Sequence, residues 1–329
     1  MRRREFIAAA GGAAIFSVCR PAVTKAQQPG RPRRIAILMG VREGDPEGVG
    51  RYAALVAGLK ERGWIDGDTA KLETWWAGGS ITRIREIVPE LVASAPDIIV
   101  GNGTAVTGEL HKATRTIPVV FNLTADPVGL GYIERMSRPG GNLTGFIFFE
   151  PPLIGKWFEL LKQVSPGVAQ TTLLFNPGTA DFYFRFFEGQ PGLGTLIKLA
   201  PTRDMAEVET VLAALAANTG ASVIIPADPF NASNGVAIVG LVERFRLPAV
   251  YTYRQLAIDG GLMAYGPDTF AAFHQTADYV DRVLRGERPS ELPAQAPTKY
   301  QLVVNLQTAR KFDLVFPQTL LAVADEVVE

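Results

Sequence analysis

Polar residues stand at several points where a predicted strand gives way to a predicted helix. Ligands of open parallel sheets bind at the carboxyl ends of the strands. Helix N-termini at that edge offer free N–H groups to a carboxylate, and aspartate side chains can pair with an ammonium group. Aspartate or asparagine before proline also suits an ordinary helix N-cap, so both roles stay open. Five such junctions occur, at Asp45-Pro46, Gly103-Thr104, Asp126-Pro127, Asn176-Pro177 and Asp228-Pro229.

Neighbouring residues extend these junctions into a candidate binding site for a small molecule. Asn122 and Thr124 lie at the end of a strand predicted over 117–123, Tyr251 lies in one predicted over 249–253, and Phe230 follows a junction. Aromatic side chains would suit a flat or apolar ligand body, with core or hinge packing as their alternative role. The predicted ligand-binding residues are Asp45, Gly103, Thr104, Asn122, Thr124, Asp126, Asn176, Asp228, Phe230 and Tyr251.

Residues for catalysis or metal binding do not assemble in this sequence. It lacks the Gly-x-Ser-x-Gly elbow, the phosphate-binding loop and the His-Glu-x-x-His zinc motif. Its two histidines, His111 and His274, are far apart, and its one cysteine is Cys19. We therefore predict no enzyme activity, no metal site and no cofactor.

Charge is distributed unevenly along the 329 residues. The whole chain has 33 basic and 33 acidic residues, and its first 26 residues hold five of the bases and one of the acids. Without those 26 residues, 28 bases and 32 acids remain, which gives a net charge of −4. An acidic body repels phosphate backbones, so we predict no nucleic-acid partner.

The N-terminal segment has the pattern of an export signal. Residues 1–5 are basic, and residues 6–18 form an apolar run that is too short to span a membrane stably. The sequence RREFI at 3–7 is similar to a twin-arginine motif, with general secretion as the alternative route. We predict cleavage after Ala26 and a periplasmic location; lipid attachment at Cys19 is the alternative, although Val18 before it fits that cleavage poorly.

Strand and helix patterns alternate through the rest of the chain. Such alternation predicts parallel sheets that are covered by helices on both faces. About ten strands are many for one sheet, so two successive sets predict two doubly wound α/β lobes. Residues 306–329 read as one or two terminal helices.

Several short motifs resemble one known family. They are ADPVGLG at 125–131, RPGGNLTG at 138–145, GGLMAYGPD at 260–268, PTK at 297–299, VNLQTA at 304–309 and LLAVADEV at 320–327. Together they resemble the ABC transporter substrate-binding proteins of the tryptophan-importer type, from about residue 33 to the end.

The resemblance implies a type I periplasmic binding fold, in which three crossovers join two lobes. It implies a first lobe of 33–149 plus about 254–285, and a second lobe of 150–253 plus about 286–329. A small molecule, in this family often an aromatic amino acid, would bind between the lobes, and Asp126 would face it. Residues 181–191 depart from the family pattern, so the ligand's identity stays open.

The resemblance also implies partners and leaves alternatives. A monomer would deliver its ligand to an ABC permease and its ATPase in the inner membrane. A ligand-sensing subunit for a membrane receptor and a periplasmic enzyme on the same frame are the alternative functions.

Overall fold

The computed structural model describes residues 31–149, 152–188 and 191–329. Residues Pro32–Glu329 form one compact unit. The predicted export signal, with its cleavage after Ala26 and the alternative role of Cys19, lies outside the described residues.

Five parallel strands make the first sheet, in the order β2-β1-β3-β4-β5. Strands β3 and β4 are buried along their whole length, as expected for strands covered by helices on both faces. The strands are β1 (Arg33–Met39), β2 (Ala70–Trp76), β3 (Ile98–Asn102), β4 (Val119–Ala125) and β5 (Leu143–Phe149).

Seven strands make the second sheet, in the order β12-β11-β10-β9-β8-β6-β7. Only the β10–β11 pair is antiparallel among the pairings described for this sheet. The strands are β6 (Gln170–Phe175), β7 (Ile197–Pro201), β8 (Ala221–Ile225), β9 (Ala249–Tyr251), β10 (Met263–Pro267), β11 (Tyr300–Asn305) and β12 (Glu326–Val328).

Helices connect the strands and cover the sheets. Many start at a side-chain cap: Asp45 accepts a hydrogen bond from the Gly48 N–H at 2.7 Å, and Pro46 begins the first helix. The helices are α1 (Pro46–Glu61), α2 (Ile81–Ala93), α3 (Thr104–Ala113), α4 (Pro152–Val164), α5 (Pro177–Ala180), α6 (Phe182–Glu188), α7 (Pro191–Gly194), α8 (Met205–Ala216), α9 (Pro229–Ser233), α10 (Gly235–Arg244), α11 (Arg254–Ile258), α12 (Thr269–Leu284), α13 (Leu306–Lys311) and α14 (Gln318–Leu321).

The chain passes between the two sheets three times. It crosses between β5 and α4, and again between β10 and α12, because α12 packs on α1 and β4 of the first sheet. Residues 289–295 still contact β5, and the chain then returns to the second sheet as β11. The predicted pair of doubly wound lobes is confirmed, and we call the first sheet with its helices the first lobe and the second sheet with its helices the second lobe.

The pairing of β10 bears on the predicted lobe boundaries. β10 joins β9 and β11 in the second sheet, whereas α12 lies against the first. The predicted first-lobe segment 254–285 is therefore divided between the lobes. Sequence periodicity could not reveal this, because a buried strand looks the same in either sheet.

Helix length and hydropathy bear on membrane insertion. Within the described ranges, no helix combines the length and the apolar character that a bilayer span requires.

Candidate functional site

The two lobes touch where their strands end. The Arg42 N–H after β1 donates a hydrogen bond to Ser233 Oγ at 3.1 Å, and the Arg42 guanidinium donates to the Ser233 carbonyl. A Cβ atom on Gly79, after β2, would lie 2.8 Å from the carbonyl oxygen of Pro229, so only glycine permits this approach. The cleft between the lobes is closed along this edge.

A narrow space remains deep between the lobes, and we call it the inner cleft. Arg51, Gly103 and Thr104 line it from the first lobe, and Pro229 and Tyr253 line it from the second. Its volume is about 10 Å³, which is no more than one water molecule needs.

A larger space, which we call the cavity, has a volume of about 530 Å³. This volume falls in the size range of small-molecule sites, and both lobes contribute to the wall of the cavity. Most of its lining is apolar, and its charged side chains are one carboxylate and one guanidinium, from opposite lobes. The lining residues are Asp126, Pro127, Val128, Gly129, Leu130, Met136, Ile147, Pro152, Phe182, Arg185 and Phe186.

Asp126 is positioned by a tight turn after β4. Its backbone is left-handed, with φ at +36°, and its Oδ1 accepts a hydrogen bond from the Gly129 N–H at 2.9 Å. A Cβ atom on Gly129 would lie 2.0 Å from Asp126 Oδ2, so this glycine leaves room for the carboxylate. The side chain is exposed, and it can therefore meet a ligand without having been desolvated beforehand.

Asp228 is placed differently from the prediction that it faces a ligand. Its side chain is fully buried within the second lobe. It accepts hydrogen bonds from the Asn176 N–H at 2.6 Å, the Phe230 N–H at 2.9 Å and the Thr179 hydroxyl. Burial raises the pKa of Asp228 to about 6, although these three donors act in the opposite direction. Asp228 therefore joins the loops that follow β6 and β8.

Two predicted residues of β4 hold the first lobe together. Asn122 is fully buried and donates from Nδ2 to the Ala272 carbonyl at 3.1 Å and to the Thr276 hydroxyl, which ties β4 to α12. Thr124 is also fully buried, and its hydroxyl lies 2.8 Å from that of Thr107 on α3.

The junction between β3 and α3 faces the inner cleft, which Gly103 and Thr104 line; their predicted role in ligand binding stays a prediction. Gly103 is the N-cap residue of α3, with φ at +98°, and no side chain caps this helix. The Thr104 hydroxyl accepts a hydrogen bond from the Ala125 N–H at 2.9 Å, which fixes its position beside β4.

The other predicted residues serve as caps or core. Asp45 caps α1, and Asn176 caps α5 by accepting from the Gly178 N–H at 2.8 Å. Tyr251 is fully buried in β9, and its hydroxyl has no hydrogen-bond partner within the part of the chain that the structure describes. Phe230 is partly buried against the core, with its backbone beside Gly79. The structure thus brings Asp126 to the cavity and Gly103 and Thr104 to the inner cleft, but neither space is lined by the rest of the predicted set.

Acidic, histidine and cysteine side chains do not form a metal site in the described part of the chain. No three of them come together as ligands there.

The profile of a family described as ABC transporter substrate binding protein matches residues 45–328. The chain belongs to this family.

Relatives of this substrate-binding protein include both sequences and solved structures. A tyrosine-binding protein of Clostridioides difficile (strain R20291) is 20% identical over 264 residues, which cover 79% of this chain and 75% of the relative. A conserved domain protein from Vibrio cholerae has a TM-score of 0.82 at 25% identity, covering 90% of this chain and 100% of its own. An ABC domain in complex with L-Trp from Streptococcus pneumonia has a TM-score of 0.81 at 22% identity, covering 91% and 100%. These likenesses support the type I periplasmic binding fold.

Several residues at the two spaces of this substrate-binding protein were missed from the sequence. Phe182, Arg185 and Phe186 of α6 line the cavity, and α6 lies in the segment that was predicted to depart from the family pattern. Arg51 lines the inner cleft, where it is almost fully buried. One sequence feature could have pointed to Arg51. It forms a charged pair with Glu47, four residues earlier, on the core-facing side of α1.

Proposed function

We propose that this protein is the extracytoplasmic subunit of an ABC importer and captures an aromatic amino acid or a related aromatic acid. The cavity between the lobes carries this proposal. It is large enough for such a molecule, its wall is mostly apolar, and a carboxylate and a guanidinium supply opposite charges.

The wall of the cavity suits a flat apolar body with a charged end. Phe182 and Phe186 of the second lobe would pack on an aromatic ring, and Met136 and Ile147 would complete the wall from the first lobe. Asp126 would pair with the ammonium group. The relatives named for tyrosine and bound to L-Trp support this ligand class.

Closure of the lobes would trap the ligand. The contacts of Arg42 with Ser233 and of Gly79 with Pro229 join opposite lobes, so an open form would lack them. Because the cavity wall also comes from both lobes, a ligand would contact both walls only in the closed form. Ligand binding would thus shift the population toward closure.

Delivery would follow at the inner membrane. The exported chain, cleaved near Ala26 after a twin-arginine or general secretory route, would act as a periplasmic monomer. It would pass its ligand to a permease and ATPase without catalysis.

A thermal-shift screen of the purified protein tests this function. The probes are L-tryptophan, L-tyrosine, L-phenylalanine, indole-3-acetate and benzoate, with L-leucine and D-ribose as controls. At 100 times the Kd, a ligand stabilises the folded state by about 2.7 kcal/mol, so at least one aromatic probe should raise the melting temperature clearly. A response to L-leucine or D-ribose alone would contradict the aromatic ligand class, and conversion of a bound probe would show an enzyme instead.

A further inference from the structure

A buried ion pair lies beside the inner cleft. Arg51 Nη2 is 3.1 Å from Glu47 Oε1, one turn earlier on α1, and the two residues are 1% and 4% exposed. The guanidinium carbon lies 4.5 Å from the ring centre of Tyr253, which belongs to the second lobe. Burying such a pair is costly unless further hydrogen bonds satisfy both groups.

The hydrogen bonding of this pair is incomplete. Glu47 Oε1 accepts from the Thr269 hydroxyl at 2.5 Å as well as from Arg51. Arg51 Nε and Glu47 Oε2, however, are buried and have no hydrogen-bond partner among the described residues. Arg51 also forms a side-chain hydrogen bond with Tyr253, but its Nε–H donor stays unused among the described residues, and an anionic group could accept from it.

A second donor group faces the same cleft. Gly103 and Thr104 line it together with Arg51, and they form the start of α3, a helix of 10 residues. No side chain caps this N-terminus. Its first-turn N–H groups and the positive end of its dipole favour an anion. Arg51 and α3 come from separate elements and point to the same ligand chemistry.

We propose that Arg51 and the N-terminus of α3 form the subsite for the ligand's carboxylate group. This inference rests on the proposed function and deepens it by dividing the ligand between two spaces. Phe182 lines both the cavity and the inner cleft, so the two spaces share a wall. The aromatic body occupies the cavity, and the carboxylate occupies the inner cleft.

The small volume of the inner cleft sets the order of events. At about 10 Å³ it has no room for a carboxylate in the closed form described here, so the ligand-bound form must hold Pro229 and Tyr253 further from Gly103 and Arg51. The side chain of Pro229, in the second lobe, would lie 3.4 Å from a Cβ atom on Gly103. The carboxylate therefore docks on the first lobe while the lobes stand apart, and Pro229 and Tyr253 then close over it to a cleft slightly wider than the one described here.

Arg185 is the competing partner for a carboxylate. It lines the cavity from the second lobe, but 58% of its side chain is exposed. Its Nη2 atom lies 4.0 Å from Asp181 Oδ2. Water competes with a ligand at such an exposed guanidinium, and an exposed ion pair therefore contributes little free energy to binding. A buried guanidinium discriminates more strongly for a carboxylate, because removing the carboxylate leaves its N–H groups without an acceptor.

Calorimetry with two matched pairs of probes tests the subsite. L-tryptophan is compared with tryptamine, and indole-3-acetate with indole-3-ethanol, because each pair differs chiefly in the carboxylate. A charged hydrogen bond lost at a buried site predicts that wild type prefers the carboxylate probe by about tenfold or more. The double variant Glu47→Gln/Arg51→Gln removes both charges and leaves no unpaired ion, and in it the preference should fall to about threefold or less.

Three further variants separate binding from structure. Arg51→Lys retains the charge without the planar fork and should keep only part of the preference. Glu47→Gln leaves the guanidinium less neutralised, so the preference should be retained or increase. Arg185→Gln should reduce the preference less than the double variant does. Melting temperatures of all variants show which of them are folded.

The outcomes distinguish the two proposals. Equal binding of both members of each pair by wild type would overturn the subsite while leaving the aromatic site intact. An unchanged preference in the double variant or in Arg51→Lys, or a loss of preference in Arg185→Gln, would also overturn it. If only L-tyrosine or L-phenylalanine binds, tyramine or phenethylamine serves as its matched partner. A wild-type protein that binds none of the aromatic probes would overturn the proposed function and the subsite together.

Discussion

Residues of one type at one kind of junction have different roles in this protein. Asp45 and Asn176 cap helices, Asp228 joins two loops inside the second lobe, and only Asp126 of these four lines the cavity. An Asp-Pro or Asn-Pro pair reads alike in the sequence at all four positions. Burial separates them, and burial depends on packing between segments far apart in the chain, which local sequence does not report.

Asp126→Asn tests the residue that is predicted to hold an ammonium group. Asparagine tolerates the left-handed backbone at φ +36°, so the melting temperature should change little. Loss of the charged hydrogen bond should weaken L-tryptophan binding by about 1.5–3 kcal/mol in calorimetry. Asp204→Asn is the matched control, because Asp204 caps α8 and does not line the cavity. Equal affinities of Asp126→Asn and wild type would exclude the role.

Asp228 should give the stability a characteristic dependence on pH. Burial raises the pKa of Asp228 to about 6 in the folded protein, above the ordinary value of 3.8. The folded state then holds a proton that the unfolded state releases, so this group's contribution to stability is full below about pH 4 and is lost as pH rises through 6. The loss is on the order of 2–3 kcal/mol.

Chemical denaturation from pH 4 to 7 measures this effect. The Asp228→Asn variant should be less stable than wild type, because one amide oxygen cannot accept three hydrogen bonds, and the gap between the two proteins should narrow as pH rises. A gap that stays constant or widens with pH would show that Asp228 is ionised throughout.

At the scale of the elements, α6 forms the part of the cavity wall that contains Arg185. Three of its seven residues, Phe182, Arg185 and Phe186, line the cavity. Phe184 instead packs on Phe175, with their ring centres 5.1 Å apart, and is partly exposed. The aromatic content of this segment is plain in the sequence. Which of its rings face a ligand follows only from how α6 sits against the turn after β4.

A pair of substitutions on α6 tests its role in binding. Phe186→Ala should weaken L-tryptophan binding by about 1–2 kcal/mol, because the ligand ring loses an aromatic neighbour. Phe184→Ala should lower the melting temperature and leave the affinity unchanged. Calorimetry and thermal melts on both variants give the comparison, and a larger affinity loss in Phe184→Ala would place the ligand elsewhere.

The elements themselves were largely predictable, except where long-range pairing decides them. Buried runs such as the IIVGN of β3 read as strands, and the caps at Asp45 and Asp204 mark helix starts. Pro89 lies inside α2 without ending it. The tail was predicted as helix only, but it ends in β12, because Glu326–Val328 pairs with the edge of β11.

At the scale of the whole molecule, the alternating pattern was enough to predict two doubly wound lobes. The crossings between them were harder, since the strand β10 and the helix α12 are adjacent in sequence but pack on different sheets. The closed contact between the lobes depends on atoms that no sequence pattern brings together, such as those of Arg42 and Ser233.

Arg42→Ala tests whether that contact contributes to closure. Loss of the bond from its side chain to the Ser233 carbonyl should shift the population toward the open form, with a larger radius of gyration in solution scattering. Affinity for L-tryptophan should fall by a few fold, since the binding-competent fraction falls. Arg83→Ala is the control, because Arg83 pairs with Glu86 on its own helix. Identical scattering of Arg42→Ala and wild type would exclude a role in closure.

A crystal structure of the protein with L-tryptophan, or with the tightest probe from the thermal screen, tests the central claim most directly. The expected result is a ligand enclosed between closed lobes, with its ring against Phe182 and Phe186 and its polar end toward Asp126 and Arg51. A ligand on an outer face of one lobe, or a ligand bound between lobes that stay apart, would contradict the claim.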